Sequence, residues 1–227
     1  MRRIRKGNQP HELAAWRAAL RPRDAVPPWE TFGDPPRGAV RTRLATDQAQ
    51  LCCYCTATIA NGGYHIEHFR PREHYGALTY QWANLLASCQ TYRHTSVAGA
   101  IVETQLHCGD AKGNWFEEGV TVDPQSPEVE TWFRYPLSGK IAASKHLSTA
   151  HFSHVNTTIA KLNLNAPSLV ARRRALLAMA GEDAASMSRD RWLDRYLGTR
   201  VDASLQEFWP ALNYNYHKQW SPRFQPA

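Results

Sequence analysis

Apolar residues recur at helical spacing near both ends of the chain and lose that rhythm in the middle. Leu13, Trp16, Ala19 and Leu20 share one face of a helix predicted over 11–20. Pro22 ends it. Pro22, Pro27, Pro28, Pro35 and Pro36 make 21–38 an extended connector with little regular structure. A short helix over 40–50 leads to Leu51. From about His151 the helical rhythm returns. Ile159, Leu162 and Leu164 run into Pro167, a residue suited to a first helical turn, and Leu169, Val170, Leu176 and Leu177 follow. Trp192, Leu193, Tyr196 and Leu197 mark a further helix, and Leu205, Phe208, Trp209 and Leu212 a last one. Trp192, Trp209 and Trp220 read as core or interface residues.

The middle of the chain reads as short strands and turns. Asn61-Gly62-Gly63 is a turn signal between two short runs and predicts a β-hairpin, with 64–69 as its second strand. Trp82, Leu85, Leu86 and Cys89 suit one or two helical turns over 80–89. A short helix should begin at Asp110, with Asp110 near its N-cap. Asp123-Pro124 starts a turn, and 132–135 with 139–141 form a second hairpin.

Composition narrows the partners. The 227 residues suffice for one sizeable core, or for a small module with a helical lobe. Lys plus Arg exceed Asp plus Glu by 7, which favours an anionic partner such as nucleic acid. Residues 1–9 form a basic arm that either frays or meets phosphate. No stretch approaches the roughly 20 apolar residues of a membrane helix. No apolar run follows the basic start, so it does not read as a signal peptide. The cysteines are odd in number and clustered, unlike a secreted disulfide framework. Together these place the protein in the cytoplasm with thiols held by metal.

All five cysteines and five of the ten histidines fall between Leu51 and Asn114. One C-x-x-C turn can present two sulfurs to one ion, so Cys52 and Cys55 are preferred over Cys53. Cys89 and Cys108 complete a four-thiolate site, with His107 an alternative ligand to either. Four thiolates close a tetrahedral zinc site, which would be structural and staple a unit lacking a core of its own.

The order of pieces is specific. Cys52-Cys53-Tyr54-Cys55 precedes His65-Ile66-Glu67-His68-Phe69-Arg70-Pro71. Asn84-Leu85-Leu86-Ala87-Ser88-Cys89 follows, then His107-Cys108-Gly109-Asp110-Ala111-Lys112-Gly113-Asn114. This resembles the zinc-stapled HNH endonucleases. In detail it resembles the PtuB-like nucleases of Septu and retron-associated anti-phage systems, which share the wide separation of Cys89 from Cys108. The piece from Ile159 to Asn165 before an Arg-rich helix also resembles them. The resemblance implies that His68 is the general base and that Glu67 stands for the usual metal-binding Asp. It implies Asp110 as the second ligand of a catalytic Mg²⁺ or Mn²⁺, with Asn114 as a fallback. It implies that Asn84 holds the loop and orients the base, and that Lys112 contacts the scissile phosphate. Glu67 and His68 would point to opposite faces of a regular strand, so sharing one site needs a twisted or bulged strand end. His65, on the Glu67 side, is an auxiliary ligand or a packing residue. Arg70 and Arg72 would lie at the site mouth, as phosphate contacts or solvated surface. The run Arg172-Arg173-Arg174 reads as a solvated helix face or a partner surface.

The expected fold is α+β: a ββα-metal (HNH) core with a structural zinc site and a mostly helical C-terminal lobe. Segments 1–50, 51–145 and 146–227 hold the arm and connector, the nuclease module and the helical lobe. The resemblance implies an anti-phage effector cutting nucleic acid, DNA favoured, with a PtuA-like ATPase partner. No G-x-x-x-x-G-K-[ST] occurs, so nucleotide control would come from outside the chain. An RNA-cutting enzyme and a non-catalytic zinc-stapled binding module are the rival readings.

Overall fold

A computed structural model describes residues 1–20, 26–91, 94–95, 101–102 and 105–220, with 94–95, 101–102 and 217–220 described in backbone alone. The Trp220 side chain and the Pro22 helix stop therefore lie outside the described residues. The architecture is mixed α and β. Helix α1 spans His11–Ala19 and α2 spans Pro36–Asp47. Strand β1 (Tyr64–His68) pairs antiparallel with β2 (Leu85–Cys89). The short pair β3 (His94–Thr95) and β4 (Ile101–Val102) lies in the stretch between Cys89 and Cys108. Helix α3 is a single turn, Gly109–Lys112. A second hairpin pairs β5 (Phe133–Arg134) with β6 (Ala142–Ala143). Four helices follow: α4 (Thr149–Lys161), α5 (Pro167–Ser186), α6 (Arg189–Leu197) and α7 (Trp209–Trp220). Among the described residues no helix is long and apolar enough to cross a membrane.

Several boundaries follow local chemistry. Pro36 opens α2 and Pro167 opens α5, where a missing N–H costs nothing. The Ser148 hydroxyl caps α4 by accepting the His151 N–H. The predicted connector is shorter than expected, because α2 already starts at Pro36 and Trp29–Thr31 forms a 3₁₀ turn.

The stretch 80–89 corrects the sequence reading. It holds one 3₁₀ turn, Trp82–Asn84, and then strand β2. Every residue of β2 is buried, so its side chains show no alternation, and a short apolar run of that kind is easily read as helix. The hairpin expected around Asn61-Gly62-Gly63 is corrected with it. That turn leads into β1, but the partner of β1 is β2 and not the run before Asn61. The earlier run closes on itself through a single bridge, Leu51 to Thr58.

One hydrophobic core runs through the molecule, from Ile4 and Leu13 through Ile59, Leu85 and Cys108 to Leu169, Trp192 and Leu212. The basic arm is built into this frame. Lys6 donates to the carbonyls of Trp82 and Leu85, and its ammonium lies 3.8 Å from the Trp82 ring centroid. Trp82 Nε1 returns a bond to Gly7 O at 2.9 Å. Burial holds the Lys6 ammonium down to a pKa of about 7. The arm thus locks the entry to β2 through Lys6, while Arg5 stays exposed.

The arginine run is split by burial. Arg173 is 1% exposed and donates to Gly139 O and Leu164 O, both at 2.6 Å. Arg172 pairs with Glu207 at 2.5 Å. Arg173 is therefore a core strut, which corrects the reading of the run as one solvated face. The turn that receives it also receives the loop carrying Cys108, since Cys108 N donates to Leu162 O at 2.8 Å. Arg173→Ala strands two buried carbonyls and should lower stability by about 3 kcal/mol in chemical denaturation. Arg172→Ala, at a half-exposed position, should change it by under about 1 kcal/mol.

Candidate functional site

Three separate segments bring four sulfurs together. Cys52 and Cys55 sit on a tight turn closed by Thr56 N to Cys52 O at 3.1 Å and Cys52 N to Ala57 O at 2.9 Å. Thr56 takes a left-handed φ of 62° to make that turn. Cys89 ends β2, and Cys108 precedes α3 with φ 58°. The sulfurs of Cys52, Cys55, Cys89 and Cys108 all lie within 4.8 Å of one another, and all four residues are buried. Tetrahedral zinc holds thiolates about 2.3 Å away, which sets them about 3.8 Å apart. The quartet fits that ion. Backbone N–H groups already aim at the sulfurs: Ala57 N at Cys55 Sγ (3.4 Å) and Cys89 N at Cys52 Sγ (3.3 Å).

The quartet is electrostatically unsettled on its own. Burial would raise the Cys52 thiol, but hydrogen bonds from Cys108, Cys53, Cys55 and Cys89 hold it well below the usual range. Burial pushes Cys108 well above that range. A dication resolves the conflict by letting all four sulfurs ionise. Cys53 stands outside the quartet, with its N–H on Ala87 O. His107 Nδ1 borders Cys108 Sγ at 3.4 Å and Cys89 Sγ at 3.8 Å, beside a set that four sulfurs already complete.

A polar cluster adjoins the quartet. Its centre is Glu67 on β1, 7% exposed. Glu67 Oε1 takes the Lys112 ammonium at 2.9 Å and the Tyr54 hydroxyl at 3.1 Å. Glu67 Oε2 faces His65 Nε2 at 3.4 Å. The other ring nitrogen, His65 Nδ1, faces Asp110 Oδ1 at 3.8 Å. Burial opposes charge on Glu67, but His65 and Lys112 hold its carboxyl below the usual range. Burial likewise lowers His65, and the Glu67 and Asp110 carboxylates outweigh it and raise its pKa.

Asp110 lies within α3, and the N-cap position belongs to Cys108, which makes no side-chain cap bond. The Asp110 carboxylate instead accepts the Thr91 N–H at 2.6 Å. Asp110 is thus near the N-cap as expected, in the first turn, and its carboxylate ties α3 to the residue two past Cys89. Lys112 is corrected as a phosphate contact. Its side chain is 1% exposed and its ammonium is spent on Glu67 and on His68 O at 3.0 Å. Asn114 does not join the cluster: it is exposed and donates to Glu73.

His68 faces away from Glu67, as strand parity requires. Its Nε2 lies 3.0 Å from Thr79 O, and the Trp29 ring meets it edge-on at 4.5 Å. Burial lowers its pKa to about 4. With a proton on Nε2 for Thr79, Nδ1 is the acceptor, and it has no protein partner among the described residues. Asn84 ties down the loop after β1. Its Oδ1 accepts Arg70 N at 2.8 Å, and its Nδ2 donates to Arg70 O (3.0 Å) and Leu78 O (3.2 Å). Arg70 pairs with Glu118 at 2.9 Å, and Arg72 stands 3.8 Å from Glu30 and 5.3 Å from the Trp29 ring.

Four participants were not singled out from the sequence. Tyr54 lies between the paired cysteines and bonds Glu67. Ser88 Oγ accepts Gly109 N at 3.0 Å, and Thr91 binds Asp110. Gly109 leaves room for the cluster, since an added Cβ would stand 2.5 Å from His65 Nε2 and 2.6 Å from Glu67 Oε2. Strand parity alone grouped His65 with Glu67 from the sequence, and the structure brings them together. The others depend on pairings that local sequence does not encode.

Fold and site together describe an α+β protein with a buried four-cysteine site that could hold zinc, beside a carboxylate–histidine–lysine cluster. No protein-family model matches the chain. The protein named "Retron Vc95 putative HNH endonuclease" from Vibrio cholerae serotype O1 biovar El Tor is 28% identical over 139 residues, covering 60% of this chain and 62% of that protein. The chain thus aligns with about three fifths of the length of the curated relative it matches.

Two outcomes test the geometry. Cys→Ser at 52, 55, 89 or 108 should abolish stoichiometric zinc in elemental analysis, whereas Cys53→Ser should retain it. Gly109→Ala should cost about 1–3 kcal/mol by overpacking the His65–Glu67 contact, read by thermal melting.

Proposed function

We propose that this protein is a metal-dependent HNH endonuclease of retron-associated anti-phage defence, hydrolysing phosphodiester bonds with DNA as the favoured substrate. The observation that carries the reading is the similarity to the retron HNH protein, together with the cysteine quartet placed beside Glu67 and Asp110. The β1–β2–α3 order fits a ββα-metal core. Zinc at the quartet is structural, because four protein sulfurs leave no open position.

A divalent Mg²⁺ or Mn²⁺ at the Glu67–Asp110 cluster would supply charge relief on the phosphate and on the leaving oxygen. Oxygen and imidazole donors suit such ions. His68, held by Thr79 O at the opposite nitrogen, would serve as proton acceptor through Nδ1 once the end of β1 twists to bring it round to the ion, because on the regular strand it faces away from Glu67. Asn84 keeps the loop from Arg70 to Leu78 in place around it. Lys112 neutralises Glu67 and pins the His68 carbonyl, so it shapes the strand end from behind. Arg70 and Arg72, on the exposed loop after β1, are the cations available to a phosphodiester strand. The helical segment 146–227 is the docking surface for a PtuA-like ATPase partner, since the chain carries no P-loop of its own.

The test is cleavage. Purified protein, with and without its co-encoded ATPase, is incubated with plasmid DNA and with total RNA in Mg²⁺ or Mn²⁺. His68→Ala should lose at least about 100-fold in rate while keeping its zinc. Zinc-loaded protein that cuts neither polymer, even with the ATPase present, would exclude the nuclease reading and favour a binding module.

A further inference from the structure

The proposed ion site has an unequal pair of carboxylates. Glu67 is buried, and its Oε1 is already filled by Lys112 and Tyr54. Its remaining oxygen, Oε2, looks onto His65 and not onto solvent-facing Asp110. His65 and Asp110, by contrast, keep 28% and 30% of their side chains exposed. An ion arriving from solvent meets these two first.

The same pair is unbonded and close enough to converge on one ion. His65 Nδ1 and Asp110 Oδ1 are 3.8 Å apart, too far for a hydrogen bond. Two donors sharing one ion at about 2.1 Å stand about 3 Å apart when adjacent and about 4.2 Å apart when opposite. At 3.8 Å the pair stands at neither value, and taking adjacent positions on one ion would need the two side chains to close by about 0.8 Å. On the far side of the ring, Nε2 lies 3.4 Å from Glu67 Oε2, within reach of an N–H donated to that carboxylate. Histidines that bind metals commonly donate their second N–H to a carboxylate, which fixes the tautomer and orients the ring. Gly109 protects this arrangement, because any Cβ there would fill the gap at His65 Nε2 and Glu67 Oε2.

The geometry points to His65 as a direct ligand of the divalent ion through Nδ1, beside Asp110, with Glu67 behind it as the residue that orients the ring. This rests on the nuclease reading and reassigns the roles within its ion site. His65 leaves the packing role, and Glu67 acts through His65. Lys112 and Tyr54 then hold Glu67 so that one oxygen always faces the ring.

The experiment is Mn²⁺ binding to the full chain with its zinc in place, followed by pulsed electron paramagnetic resonance for nitrogen coupled to the bound Mn²⁺. Wild type should show the ¹⁴N coupling. His65→Gln should lose it and bind Mn²⁺ at least about tenfold more weakly, with zinc content unchanged as proof of folding. His68→Gln should keep the coupling. Glu67→Gln should keep it too, with affinity lowered about 10–100-fold. Bound Mn²⁺ without nitrogen coupling in wild type, or coupling that survives His65→Gln, overturns the assignment. If such a protein still cuts nucleic acid, the nuclease reading stands and only the role of His65 falls. Absence of both Mn²⁺ binding and cutting removes both.

Discussion

Four sulfurs from three separate segments must converge on one point, and much of the central module is arranged to let them. The paired cysteines need a left-handed residue at Thr56. Cys89 needs a strand that ends at the right depth, and Cys108 needs its own left-handed φ before α3 begins. None of these short pieces would hold its shape alone. β1 and β2 are five residues each and α3 is a single turn. An ion held by all three would reinforce the core that elements of this size build only with the helices packed on them.

The polar cluster depends on that convergence. α3 carries Asp110 and Lys112, and its position is fixed by Cys108 at one end and by Thr91 and Ser88 along its side. Burying Glu67 with Lys112 takes two charges out of water, which their attraction repays only if the geometry is good and the other lone pairs are filled. The Tyr54 hydroxyl donates to a Glu67 lone pair, and the His68 carbonyl accepts an N–H from Lys112. The buried pair therefore acts less as a source of stability than as a fixture that keeps Glu67 aimed at His65.

Much of the organisation was legible in the residues. The helical C-terminal segment followed from apolar spacing and from Pro167. The choice of Cys52 over Cys53 followed from how one turn presents two sulfurs, and the quartet has that membership. What was not legible had a common cause. β2 is buried along its whole length, so it carries no alternation to identify it. Lys112, Arg173 and Lys6 are cations whose partners are backbone carbonyls or a carboxylate far away in sequence, and no local pattern marks such cations as buried. Asp110 was expected near the N-cap and lies there, yet its acceptor went to Thr91 across an intervening segment. Sequence shows which groups are available; the pairing of distant segments decides how each is used.

The turn after α4 has one further meaning. Leu162 O receives the N–H of Cys108, and two residues on, Leu164 O receives the buried guanidinium of Arg173. A single turn is thus clamped by the Cys108 loop on one side and by the longest helix on the other. A chain emptied of its ion would slacken this joint and loosen α5 with it. Were the quartet to hold an ion, its loss would be felt beyond one small site, in the seating of the helical half as well.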